Sequence, residues 1–455
     1  MRKFTGARKL AMPLLGLVTL LSLVFGTFSL HADTAQAAGL AIQSHAIRVH
    51  PHIRDSGKPD ATGTFPCQNP TYVIHCYGPK QIRVAYAIQP LLNAGINGSG
   101  RTIVIVDAFQ SPTIVQDLQA FNQAFNLPSA KLNIIAPDGL TPFNPNDPNQ
   151  VSWAGEISLD VEWAHAVAPD AIIDLVLAKS NQDVDILSVT KYAIDNNLGD
   201  VISQSFGENE SCVDHTLLAE EHAVFQEATN KHITLLASSG DSGAAELTCD
   251  GTSWVLAVSS PASDPLVTAV GGTQLFANQK SGSYLSEVAW NEPQFQGASG
   301  GGYSVIFKRP AYQKNAVPSQ WRGVPDVAYN AAVNGGVLVA FSVIPPGSQG
   351  GPFHIFGGTS AGSPQWAGIV ALANQKAGER LGFLNPAIYE IGENSSYSRA
   401  FHGILFGNNT VQLPDAKGNI VTIIGYSAHK GWDAVTGWGT PKVAGLVPLL
   451  VDMEK

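Results

Sequence analysis

The sequence predicts an α/β fold, a doubly wound and mainly parallel sheet with helices on both faces. Three observations carry this expectation. Short, nearly continuous apolar runs alternate with longer segments of helical period, the apolar runs lack the polar alternation of a sheet with one wet face, and polar residues and glycines recur at their carboxyl ends. In chain order the pairs are "RTIVIVDAF" with "PTIVQDLQAFNQAFNL", "AIIDLVLAKS" with "DVDILSVTKYAIDNN", and "DVISQSFG" with "DHTLLAEEHAVFQEATNKH", then the strand "HITLLASSGD". Chemistry in such sheets collects where strands end, which singles out Asp107, Ser205 to Gly207, and Asp241.

The chain has 455 residues, 44% hydrophobic and 14% charged, ample for a large core. Its formal charge of -10 argues against nucleic acid and anionic membranes as partners, and a monomer is expected. Residues 1–37 read as a secretory signal peptide: a basic start "MRKFTGARK", an apolar run, and an Ala35-Gln36-Ala37 cleavage site. Uncleaved, the run is long enough to anchor the chain in a membrane; the small-residue site favours export and a secreted, extracellular product with no stable membrane association. Residues 38–78, rich in Pro, Gly, His and Asp without apolar period, read as an irregular leader or linker, and 79–455 as the folded domain. Four cysteines suggest two disulfides, with Cys67–Cys76 and Cys212–Cys249 the pairs their spacing offers among three connectivities. None has metal-finger or C-x-x-C spacing, so staples are expected.

The helix "SWAGEISLDVEWAHAVAP" is unusual. At 100° per residue, Ser158, Glu162 and His165 share a polar side, whereas Glu156 and Asp160 fall inside the apolar arc. Two carboxyl groups one turn apart on a buried face repel each other and lose hydration, so at least one should hold its proton above the usual range. A solvated acidic pair would suit Glu162 but not these two.

Ser360, in "FGGTSAGSPQWAG", precedes an apolar helical run and suits an ordinary N-cap. It also suits a nucleophile, because Gly357 and Gly358 let a substrate approach closely and the helix start favours developing negative charge. Asp241, in "ASSGDSGAA", reads either as a turn cap or as a carboxyl group kept protonated to donate a hydrogen bond to an oxyanion.

Together, Glu156-x-x-x-Asp160, Asp241 in "SGDSG" and "GGTSAGSPQWAG" resemble the sedolisins, serine-carboxyl peptidases with a subtilisin-like fold. The likeness continues through "VISQSFGENE", "PASDPLVTAVGGT", "ASGGGYSVIFKRPAYQ", "RGVPDVAYNA" and "GWDAVTGWGTP", from Tyr77 to Pro441. The resemblance implies an endopeptidase acting on proteins or peptides in acid. In it Ser360 attacks the scissile carbonyl, Glu156 takes the proton, Asp160 orients and tunes Glu156, and Asp241 helps hold the oxyanion. A glutamate base works where an imidazole of pKa about 6.5 is already protonated.

Two features depart from the family. Sedolisins carry a large folded prodomain, and here about 40 residues separate the signal segment from the homologous region, too few to fold alone. The family's calcium site reads here as Gly403-Ile404 and "HKGWD", 429–433, with one carboxylate missing and a lysine inserted. Tight calcium binding by Asp433 and the carbonyls of Ile404, His429 and Gly431 is therefore not expected, nor any other metal or cofactor, and Lys430 is expected to pair with Asp433. An Asp-His-Ser enzyme built on Asp107 lacks a suitable histidine, and Asp107 reads as a strand-end polar residue near the cleft. No H-E-x-x-H supports a metallopeptidase. A secreted binding protein without catalysis is the alternative from another class.

Overall fold

The elements that build and flank the cleft are, in chain order, β1 (His52–Asp55), β2 (Thr102–Ala108), α1 (Ile114–Phe125), β3 (Lys131–Ile135), α2 (Pro148–Val167), β4 (Ile172–Ala178), α3 (Asp183–Asp195), β5 (Val201–Gln204), α4 (His215–Asn230), β6 (Thr234–Ser238), β7 (Thr268–Ala277), β8 (Tyr284–Ala289), β9 (Val327–Asn330), β10 (Gly336–Ala340), β11 (Phe353–Gly357) and α5 (Gly362–Ala377). The computed structural model describes residues 44–49, 51–69, 71–343 and 352–453, all in one unit spanning 42–455. The expected signal peptide, 1–37, lies outside the described residues.

The main sheet runs β8-β7-β6-β5-β2-β4-β3, with β9 also joined to β7; every pairing is parallel except β7 with β8. The doubly wound α/β expectation is met, and alternation along β2 shows why. Ile103 and Ile105 pack with Ile157, Trp163 and Ile369 of α2 and α5, while Val104 and Val106 pack with Val189, Ile194 and Phe225 of α3 and α4. Both faces are covered, so the strands are apolar throughout. On the first face α2 and α5 touch closely: a Cβ on Gly368 would lie 2.7 Å from Val167.

Burial corrects the reading of α2. From Trp153 to Val167 it is enclosed all round, and Ser158, Glu162 and His165 are fully buried rather than solvated. Glu162 accepts a hydrogen bond from the Ala340 N–H at 2.9 Å, and a His165 ring nitrogen lies 3.0 Å from the Pro128 carbonyl. The polar side of α2 faces β10 and the 128 loop, whose backbone groups need partners. Burial accordingly raises the pKa of Glu162 and depresses that of His165 to about 4.

The described part of 38–78 also departs from an irregular linker. β1 pairs antiparallel with β11, His52 opposite Gly357 and Asp55 opposite His354. Cys76–Tyr77 adds a short parallel pairing to β10, giving a second sheet ordered β1-β11-β10-(Cys76–Tyr77). Upstream, the Ile47 N–H donates to the Asn181 carbonyl at 2.8 Å and the Asp183 N–H to the His45 carbonyl at 2.9 Å. Ile47 and Val49 bury against Trp153 and Phe206. Disulfides join Cys67 to Cys76 and Cys212 to Cys249, the pairs offered by spacing.

Candidate active site

Three parallel strands deliver polar residues to one end of the sheet. Asp107 lies at the end of β2, Ser205 directly follows β5, and Asp241 follows β6. Above them α2 supplies Glu156 and Asp160, and a single 3-10 turn, Thr359–Ala361, supplies Ser360 just before α5. Ser360 therefore starts the helical segment without capping it, since no side-chain cap bond is made there.

Ser360 is 8% exposed and faces a cleft of about 740 Å³ whose walls include Ser205, Glu208, Asp241, Trp254 and His52. Glu156, Asp160 and Asp107 lie behind this surface, each fully buried. None of their six carboxyl oxygens meets a backbone N–H; Glu156 and Asp160 lie within reach of each other, with the Ser360 hydroxyl near Glu156 and that of Ser205 near Asp160. The Ser360 hydroxyl instead donates to the Ser205 carbonyl at 3.2 Å. It is nonetheless near enough to Glu156 to pull its pKa down, against the dominant upward effects of burial and then of Asp160. Ser360 thus has both acceptors as neighbours, and such catalytic bonds commonly tighten only when substrate binds.

Burial likewise holds Asp160 well above the usual carboxyl range, with the charge of Asp107 adding to it. Asp107 is raised by burial and then by Glu156. The four expected residues converge, and Asp107, a strand-end polar residue near the cleft as expected, lies against them behind the cleft surface. The signal was available: residues 103, 105 and 107 share the face of β2 that meets α2. Neither Asp107 oxygen has a histidine partner, so an Asp-His-Ser arrangement on Asp107 is absent among the described residues.

Asp241 is held by the turn that carries Ser360. Its Oδ1 accepts from the Thr359 N–H and hydroxyl, both at 2.7 Å, leaving Oδ2 toward the cleft. This approach demands a glycine at 358, where φ is +124° and a Cβ would sit 2.6 Å from Oδ2. Gly300 brings the "ASGGGYS" segment equally close, since a Cβ there would meet the Ser239 carbonyl at 2.0 Å. The leader reaches the same place. His52 Nε2 is 4.0 Å from Asp241 Oδ2, and burial lowers the histidine pKa while the aspartate charge opposes it.

The counterpart of the calcium loop is satisfied without a cation. Asp433 Oδ1 accepts from the N–H groups of Val435 and Thr436 at 3.0 and 2.8 Å, and Oδ2 from that of His429 at 3.2 Å. No Lys430–Asp433 salt bridge occurs among the described residues, correcting that expectation; backbone donors take its place. One carboxylate with both oxygens already engaged does not fit calcium, which wants several oxygen ligands.

Residues 145–399 match the model of the subtilase family. Over 404 residues the chain is 32% identical to kumamolisin of Bacillus sp. (strain MN-32), covering 86% of this chain and 66% of that protein. Over 419 residues it is 30% identical to sedolisin of Pseudomonas sp. (strain 101), covering 88% and 64%. The chain thus spans just under two thirds of the length of these relatives. Among solved structures it is similar to Pseudomonas sedolisin (serine-carboxyl proteinase) complexed with two molecules of pseudo-iodotyrostatin, with TM-score 0.68 and 28% identity over 83% of this chain and 98% of that one. Because the subtilase model spans more than half of the sequence and the relatives and the fold are those of sedolisins, the chain belongs to the sedolisin family of subtilases.

Proposed function

We propose that the chain is a secreted serine-carboxyl endopeptidase that hydrolyses peptide bonds in acid. The observation that carries this reading is a serine at the cleft surface with a buried carboxyl pair behind it and no histidine among its hydrogen-bond partners in the described residues. Ser360 Oγ attacks the scissile carbonyl carbon and its proton passes to Glu156. Asp160 holds Glu156 in place, and the shared burial keeps the cluster from carrying all its charges at once. The carbonyl oxygen becomes an oxyanion held by the Ser360 N–H and a proton on Asp241 Oδ2. Glu156 then protonates the leaving amine, and water releases the acyl group from Ser360 by the same steps.

A carboxyl base does not depend on a neutral imidazole, so the proposed chemistry runs in acid, and activity should fall towards neutral pH. Protein or peptide substrates suit the cleft because the chain's own leader lies along it in extended form. Export follows from residues 1–37, and no helix among the described residues is long and apolar enough to cross a membrane. A chain acting as a monomer, without nucleic acid, cofactor or calcium, completes the proposal; elemental calcium in purified protein would overturn the last point.

The test is cleavage of a denatured protein between about pH 2.5 and 8 by the parent chain and by Ser360→Ala and Glu156→Gln. Cleavage in acid that both substitutions abolish is expected. A folded parent that cuts nothing at any pH would instead favour the binding protein.

A further inference from the structure

Where the leader crosses the cleft wall, His45, Asp183 and Glu208 meet, each offering one ligand atom, all within 4.8 Å of one another. They come from three elements fixed by backbone bonds. His45 is set by the Asp183 N–H on its carbonyl at 2.9 Å, Asp183 opens α3, and Glu208 sits opposite Ser260 in a short antiparallel pair. Asp183 is 6% exposed. Its Oδ1 accepts from the Ser44 hydroxyl at 2.6 Å, a bond from the leader, and from the Val184 N–H at 2.7 Å; the helix N-cap is Gln182, whose side chain makes no cap bond. Asp183 Oδ2 is buried without a hydrogen bond. No salt bridge to a lysine or arginine engages Asp183 or Glu208 among the described residues.

From this geometry we propose that His45, Asp183 and Glu208 form a binding site for a divalent transition-metal ion of the zinc class. An imidazole with two carboxylates suits zinc, whereas calcium and magnesium prefer all-oxygen shells. Small side-chain rotations bring three donors to bonds of about 2.0–2.2 Å, with water completing the shell. The site is separate from the calcium loop at 429–433. Its ion staples the leader to α3 and to the cleft wall, and so slows substrate entry; that consequence rests on the peptidase reading, while the site itself does not.

The experiment titrates zinc chloride into the full chain carrying Ser360→Ala, which keeps the leader intact, by calorimetry at about pH 7. One zinc per chain is expected. Asp183→Asn and Glu208→Gln should each weaken binding by more than the about 10–100-fold that loss of an outer-sphere partner costs. His45→Gln, a change in the leader outside the sheets, should do the same and serves if the other two fail to fold. Zinc should raise the melting temperature of the parent and not of the folded variants. No zinc binding, or equal binding by His45→Gln and the parent, would overturn the site.

Discussion

Two groups of fully buried acids sit in this protein and are treated in opposite ways. Asp326 accepts from both terminal nitrogens of Arg322 at 2.9 and 2.6 Å, from the Tyr389 hydroxyl at 3.0 Å and from the Ala269 N–H at 2.8 Å. Glu156, Asp160 and Asp107 are as deeply buried but face no cation and no backbone N–H, having as neighbours one another and the hydroxyls of Ser360 and Ser205. The first arrangement pairs an acid with a guanidinium and stabilises the fold only as an intact pair. The second leaves protonation uncommitted at the cost of desolvation. A buried carboxyl is informative about chemistry when its oxygens are free to gain and lose a proton.

The sharpest test exchanges the two. Glu156→Gln should lower kcat/KM by roughly 10²–10⁴ while the protein stays folded. Asp326→Asn should cost about 3–5 kcal/mol of stability, read by denaturant unfolding, with the pH dependence of activity unchanged. A Glu156→Gln protein that unfolds, or an Asp326→Asn protein of parental stability, would break the contrast.

The pH dependence of stability is next in size. Glu156, Asp160 and Asp107 have pKa values raised in the folded state, and burial also lifts Glu208 and Glu221 to about 8 and Glu246 to about 7. The folded chain then binds more protons than the unfolded one, so this stabilisation is complete below about pH 4 and is lost as pH rises through the folded values. A Tm that falls by several degrees between acid and neutral pH is expected, with a shallower fall in Asp160→Asn.

Asp107→Asn removes a charge that raises Asp160. It should shift the pH–rate profile towards acid by less than about one unit and lower kcat about tenfold; an unshifted profile would return Asp107 to a structural role. Smallest is His52→Ala. Its contact with Asp241 is long, so KM should change by no more than about fivefold, equivalent to about 1 kcal/mol.

Much of this was legible because it depends on period. Apolar strands alternating with helices gave the sheet, and the placement of Glu156 and Asp160 within an apolar arc marked the buried pair. Asp107 was legible as a strand-end acid near the cleft, and alternation along β2 adds that its side chain lies on the face that meets Glu156 and Asp160. Glu162 and His165 misled, since a polar arc meets unpaired backbone as readily as water. β1 was hidden for another reason: "HIRD" is a half-exposed strand whose identity depends on β11, far along the chain, and local pattern carries no such information.

The pairing of β1 with β11 has a consequence for the fate of the protein after a cut that removes the residues up to Asp55. β10 occupies one side of β11, and β1 alone covers the other among the described strands. Loss of the leader would bare the backbone donors and acceptors of His354–Gly357 as an open sheet margin, beside the turn that carries Ser360. The trimmed molecule would be the more adhesive one, prone to self-association as its concentration rises, and the leader doubles as a guard against aggregation.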